Sequence, residues 1–158
     1  ECPACGRMVP LLDEITTKHP NDVRVVHKFY PLSKHPNAHK AALAAWAAQR
    51  QGKYWEFEKK LFADQTKMTE ADFTRHAKEL GLDLARFEAD RTSDAAEKTV
   101  ARDKAAADAA GLTGTPHIVI NGRKFMAFED AAADLQKWIA LELEMAAKPA
   151  AVAAPPAP

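Results

Sequence analysis

Cys2-Pro3-Ala4-Cys5 holds both cysteines of the chain, two residues apart at the head of an amphipathic stretch. This spacing is the sequence form of a thiol/disulfide switch. A helix that starts here leaves backbone N–H groups unpaired and carries partial positive charge at its N-terminus. Both stabilise a thiolate at Cys2 and make it a good leaving group from a mixed disulfide. Pro3 suits a first helical turn because it lacks an N–H that such a turn cannot use. Other readings of the pair stand beside this one. Structural zinc takes four ligands, and no second CxxC completes the set. Cu(I) accepts two thiolates alone. A purely structural disulfide across so short a loop constrains the unfolded chain little. Redox chemistry therefore leads.

Working outward, Val9, Leu11, Leu12 and Ile15 recur at helical spacing, which predicts an amphipathic helix from Cys5 to about Lys18, kinked at Pro10. His19-Pro20-Asn21-Asp22 is a turn, and residues 23–30 read as a β-branched, aromatic strand closed by Pro31. From Asn37 to Gly111 the period is helical almost throughout. Pro36 opens a helix that runs to Gly52, and Tyr54, Trp55, Phe57, Leu61 and Phe62 mark a second. Thr69 caps a third that Gly81 stops, Asp83 caps a short fourth, and Ser93 or Asp94 caps a long fifth. Thr113-Gly114-Thr115-Pro116 breaks the run, and residues 117–120 and 124–128 form a hairpin about Asn121-Gly122. A final helix is predicted from about Asp130 to Glu144, and residues 146–158, almost all Ala and Pro, read as a flexible tail.

The chain has 158 residues, 47% of them hydrophobic and 28% charged, enough for a real core in one domain or in one domain interrupted by another. Lys plus Arg equals Asp plus Glu at 22 each, so no overall charge draws it to nucleic acid or an anionic membrane. No apolar run reaches transmembrane length, and no signal peptide is read within these residues, which settles little because they begin one residue before the CxxC. Six histidines raise the question of a metal. His35 and His39 are four apart, but no carboxylate or third His sits at ligand spacing, so none is assigned and capping or surface hydrogen bonding is the simpler reading.

The order is CxxC helix, strand, helical insertion, Thr-Pro turn, hairpin, helix. It resembles the DsbA-like thiol-disulfide oxidoreductases, an α/β thioredoxin-like fold interrupted by an all-helical insertion. The matching stretches are Glu1-Cys2-Pro3-Ala4-Cys5, Tyr30-Pro31-Leu32 leading to His35-Pro36-Asn37-Ala38, and Gln51-Gly52-Lys53-Tyr54-Trp55-Glu56 with Leu61-Phe62. Leu80-Gly81-Leu82-Asp83, Gly114-Thr115-Pro116 and Ile120-Asn121-Gly122 continue the match, which runs from Glu1 to about Glu144. The expected organisation is a thioredoxin-like domain over residues 1–34 and 111–145, a helical insertion over 35–110 and the tail over 146–158. In such a fold a strand normally precedes the CxxC, and this chain begins one residue before it, so the sheet is expected to lack its first strand.

The resemblance implies roles. Cys2 is the exposed nucleophile and Cys5 the buried resolving thiol, with Pro3 and Ala4 between them in the active-site loop. Pro116 is expected to be cis and to face the disulfide. Thr115 before it then offers its backbone to an extended substrate in the manner of strand addition. Strongly oxidising members carry a His within the CxxC; this chain has Ala4, and Glu1 adjoins Cys2 with the opposite effect on charge, so a less oxidising centre is expected. Two further residues are candidates for tuning. Lys28 matches a buried lysine that moves protons for Cys5, or is a strand-end lysine reaching solvent. His117 acts as a nearby cation or is simply a strand residue, the second being favoured.

The expected function is exchange of a CxxC disulfide with cysteines of exported or unfolded proteins, without an organic cofactor. The redox-active pair Cys2–Cys5 would itself carry the electrons. Partners are cysteine-containing protein substrates and a redox-recycling partner, membrane-bound in one form. A periplasmic or otherwise extracytoplasmic home fits a disulfide carrier. The competing class is a non-catalytic thioredoxin-like module that binds a protein partner or Cu(I).

Overall fold

A computed structural model describes residues 1–127 and 130–147. Helix α1 spans Pro3–Lys18 and carries Pro10 inside it. The helical insertion contributes α2 (Ala38–Gln49), α3 (Tyr54–Ala63), α4 (Glu70–Glu79), α5 (Leu84–Arg91) and α6 (Asp94–Ala109). A hairpin of β1 (Val119–Ile120) and β2 (Arg123–Lys124) and the helix α7 (Ala131–Ala147) complete the order.

Local chemistry explains most of these boundaries. Thr69 and Asp72 close a reciprocal capping box, with Asp72 N donating to Thr69 Oγ1 at 3.3 Å and Thr69 N to Asp72 Oδ2 at 3.0 Å. Asp83 Oδ1 accepts from Arg86 N and Ser93 Oγ from Ala96 N, so each is the N-cap of the helix that follows it. Gly81, at φ 69°, ends α4 by entering the left-handed region that other residues avoid. Asn121 and Gly122 both have positive φ, as the tight turn between β1 and β2 requires.

Buried apolar residues form two clusters. Phe57, Phe73 and Phe87, fully buried, join Val100 and the alanines of α2 inside the helical insertion. Met8 and Ile15 of α1 pack with Ile120 and with Leu135 and Ile139 of α7 in the other. Phe29 belongs to the helical cluster, although it lies in the segment leading away from α1. Its position is set by Asp103 on α6, a carboxylate only 5% exposed that accepts from Phe29 N at 3.3 Å. Arg102 and Lys28 complete its partners, at 2.8 and 3.4 Å. A second buried carboxylate, Glu142 on α7, accepts from Asn121 Nδ2, Trp138 Nε1 and Arg123, and fastens the hairpin to the last helix.

Several expectations change. Residues 23–30 are not a strand: β-propensity alone makes no ladder, because its hydrogen bonds need the backbone of a partner strand, and among the described residues the only sheet pairs β1 with β2. The second hairpin strand begins at Arg123 and ends at Lys124, although Phe125 N still donates to Ile118 O at 2.9 Å; Phe128 lies outside the described residues. Helix α1 starts at Pro3 rather than Cys5 because Cys2 is itself the N-cap. Pro36 precedes rather than opens α2, which starts at Ala38 and ends at Gln49. Helix α7 continues to Ala147, so the first two residues of the expected tail are helical, as an alanine run readily is; 148–158 lie outside the described residues.

Two predictions follow from these buried polar groups. Replacing Asp103 by Ala leaves the Phe29 amide buried and unpaired, and is expected to cost about 1–3 kcal/mol in urea denaturation. His76 is 4% exposed, stands edge-on to Phe57, and has no hydrogen-bond partner at either ring nitrogen. Burial, then the nearby Arg75 charge, lowers its pKa against a smaller opposing pull from Glu79. The folded state thus binds a proton less readily than the unfolded chain, and stability is full above the ordinary histidine value of about 6.5 and declines below it. Urea melts at pH 7.5 and 5.5 should show that decline, and His76→Leu should flatten it.

Candidate functional site

Cys2 is extended, at φ −68° and ψ 115°, and its carbonyl accepts the first helical bond of α1 from Gly6 N at 3.1 Å. As N-cap it places its sulfur beside the free N–H groups of the first turn, with Pro3 exposed just inside the helix. Cys5 lies one turn on, and both cysteines are free thiols. Opposite them, Thr115 O accepts from Cys2 Sγ at 3.6 Å, and the Thr115–Pro116 peptide bond is cis.

The two thiols differ in acidity. Burial raises the pKa of Cys2, but the nearby Thr115 hydroxyl and hydrogen bonds from Cys5 and Ala4 outweigh it, and the net shift is downward. Burial dominates at Cys5 and pushes it up to about 11, with Cys2 adding to the rise and the Thr115 hydroxyl opposing it. Thr115 Oγ1 is buried with no well-aligned partner of its own, so its dipole acts on the two sulfurs.

A cleft of about 140 Å³ runs from the sulfurs into the helical insertion. Ala38, Ala42 and Leu32 give it apolar walls, with Phe62 and Met68 deeper in. Gln65, in the turn after α3, donates from Nε2 to Cys2 O at 2.9 Å and so ties the insertion to the start of the CxxC helix. Gly6 makes room for it: a Cβ there would stand 2.9 Å from Gln65 Oε1.

The family described as thioredoxin matches residues 1–141. This chain belongs to the thioredoxin family. A thioredoxin-like oxidoreductase from Silicibacter pomeroyi DSS-3 has the same fold, with a TM-score of 0.77 and 30% identity, over 93% of this chain and 82% of that one. The oxidoreductase DsbA from Xylella fastidiosa superposes with a TM-score of 0.71 over 92% of this chain and 82% of its own, at 22% identity. Among sequence relatives, a Na(+)/H(+) antiporter NhaA 3 of Salinispora tropica is 39% identical over 125 residues, 78% of this chain. The match covers 19% of that protein, so the chain spans about a fifth of the length of the curated relatives it matches. No helix among the described residues is long and apolar enough to cross a membrane.

In this thioredoxin-family chain Cys2, Cys5 and Thr115 meet in one cleft, with Pro3, Ala4 and Pro116 adjoining them in sequence. Glu1 also lines the cleft, but its carboxylate is held by Asn37, accepting from the backbone N at 2.7 Å and from Nδ2 at 3.0 Å. That places its charge at the start of α2, where a helix N-terminus favours an anion. The ammonium of Lys28 goes to Asp103 and is 63% exposed, whereas His117 is exposed and is not among the cleft residues. His39 Nε2 lies 2.9 Å from Glu97 Oε2, away from His35, which precedes α2 and lines the cleft. Sequence reading missed Gln65, which the fold of the insertion brings to the Cys2 carbonyl, and His27, Tyr54 and Glu58, which line the same cleft as the sulfurs. Only Tyr54 carried a signal, as part of the Gln51–Glu56 stretch.

Reduced protein treated with iodoacetamide at pH 7 is expected to take one label, on Cys2, by mass spectrometry of the peptides. Thr115→Val removes the hydroxyl without removing a paired hydrogen bond, so it should slow that labelling a few-fold while leaving the melting temperature unchanged.

Proposed function

We propose that this protein is a thiol-disulfide oxidoreductase that exchanges the Cys2–Cys5 disulfide with cysteines of exported or unfolded protein substrates. The observation that carries this reading is the opposed acidity of two thiols at one helix start, an acidic Cys2 facing Thr115 and a Cys5 held protonated by burial. A substrate thiolate attacks Cys2 Sγ of the oxidised form, the Cys2–Cys5 bond breaks, and Cys5 leaves as a thiolate that takes up a proton. A second substrate thiolate then attacks the substrate sulfur of the mixed disulfide and releases the Cys2 thiolate, so the substrate gains one disulfide and the protein two electrons. In the reverse direction Cys2 attacks and Cys5 resolves. No organic cofactor or metal enters this scheme.

Thr115 O beside Cys2 is suited to pair with the backbone of an extended substrate, and the cleft under the helical insertion, residues 35–110, to receive its apolar side chains. An extracytoplasmic site and a redox-recycling partner, membrane-bound in one form, fit such a carrier. The antiporter relatives are far longer chains, and their transport activity is not carried over.

Two measurements test the reading. Equilibration in glutathione buffers should give a reversible Cys2–Cys5 couple, where about −120 mV marks a disulfide donor and about −270 mV a reductant; with Ala4 in the CxxC the value should lie below the donor end. Cys5→Ser should accumulate mixed disulfides with substrate proteins. A pair that does not titrate and a variant that traps nothing would leave a non-catalytic binding module in place of an enzyme.

A further inference from the structure

Gln65 reaches the CxxC helix from the turn after α3, and that turn is built to hold it still. Asp64 Oδ1 accepts from Thr66 N at 3.3 Å and from Thr66 Oγ1 at 2.7 Å, Asp64 O accepts from Lys67 N at 3.1 Å, and Lys67 Nζ lies 2.7 Å from Asp64 Oδ2. On either side of the turn, Phe62 lines the cleft and Met68 is sunk in the helical core. From there the Gln65 side chain crosses to α1, where Nε2 donates to Cys2 O at 2.9 Å. That carbonyl also takes Gly6 N at 3.1 Å, so both of its lone pairs are used.

Gly6 shows how closely the amide fits. Its φ is not in the left-handed region, so its backbone conformation does not call for glycine, and within a helix alanine is the more stable residue. What glycine supplies is space: a Cβ would stand 2.9 Å from Gln65 Oε1 and 3.3 Å from its Cδ.

We propose that Gln65 is a positioning residue for disulfide exchange: locked against Gly6, its amide clamps the Cys2 carbonyl and keeps the attacking sulfur between Thr115 and the free N–H groups of α1. This deepens the exchange reading and rests on it. Helix ends fray first, and Cys2 makes no side-chain capping bond that would hold it in place. The clamp supplies that restraint from outside the helix. Its N–H also offsets the negative end of the Cys2 carbonyl dipole, which lies beside the thiolate. Cys2 then attacks as thiolate: its bond to a substrate sulfur forms, the substrate disulfide breaks, and the second substrate sulfur leaves with the electron pair.

Two substitutions release the clamp from opposite ends. Gln65→Met keeps the length of the side chain and removes its N–H donors, whereas Gly6→Ala sets a Cβ against Oε1, so that the flexible amide must yield. Reduced proteins are pulsed with iodoacetamide between pH 5 and 10, and modified Cys2 is measured by fragment mass spectrometry. Each variant should move the Cys2 profile to higher pH, slowing labelling about two- to fivefold at the acid end and converging on wild type toward pH 10. Gly6→Ala should do so while melting no lower than wild type, since alanine favours the helix. The double variant should label like Gln65→Met alone, because both substitutions act through one bond. Cys5 adjoins Cys2, and Glu1, His27, Lys28, His35, Tyr54 and Glu58 line the rest of the cleft; all are kept in these variants, so a moved profile belongs to the clamp.

Unmoved profiles, a slowdown by one factor at every pH, or effects that add in the double variant overturn the proposal. Should Gln65→Met fail to fold, Gly6→Ala carries the test through the same profile and its undiminished melting temperature. Wild-type protein mixed with a small-molecule disulfide separates the two readings. Failure to close the Cys2–Cys5 bond overturns the exchange reading itself, whereas normal closure with unmoved variant profiles overturns this inference alone.

Discussion

The amide of Phe29 has nowhere to go in a sheet, and Asp103 takes it. That one bond brings the segment after α1 onto α6 and seats the Phe29 ring in the helical core, although Val23 at the start of the same segment packs against the other cluster. His27 and Tyr30, on either side of it, come with it to the rim of the cleft. Asp103 stays ionised there: burial works against it, but Arg102, the Phe29 amide and Lys28 together lower its pKa. A carboxylate this well partnered is costly to disturb from either side, and so fixes how one core meets the other.

The site inherits its asymmetry from that junction. Cys2 sits at the outer edge, where the helix end and Thr115 favour its anion, and Cys5 sits one turn inward, where burial does not. The two environments are a few ångströms apart because one helical turn carries a residue from cap to interior. Gln65 and Asn37, both from the insertion, hold the Cys2 carbonyl and the Glu1 carboxylate, so the insertion positions the CxxC helix as well as walling the cleft.

How much of this was legible in sequence depended on whether the cause was local. The caps at Thr69, Asp83 and Ser93, the Gly81 stop and the Asn121-Gly122 turn are decided within a few residues, and each lies where the pattern put it. So does the position of Cys2 at a helix start, with Cys5 in its first turn. The strand over 23–30 failed because a ladder depends on a neighbour that local propensity does not reveal, and the side chain of a distant helix took its place. For the same reason Gln65, His27 and Glu58 were invisible: they come from separate elements and carry no spacing signature, and only folding brings Gln65 to the Cys2 carbonyl and the other two into the same cleft. Lys28, singled out in the sequence, also lines the cleft, but its ammonium goes to Asp103, and its neighbour His27 is the one that meets Glu58.

The hairpin turn has a chemical history built into it. Asn-Gly is the pair in which a backbone amide most easily attacks the preceding side-chain carbonyl, because glycine puts no Cβ in the way. Here the Asn121 amide is also a structural donor, bonded to Glu142 at 3.0 Å. Loss of its nitrogen by deamidation would replace a donor with a second carboxylate facing the first, turning an attraction into a repulsion at the point where the hairpin is fastened to α7. Such a change would begin at the turn that follows Thr115 and Pro116 in the chain, and would loosen the hold of the hairpin on α7 without touching either cysteine.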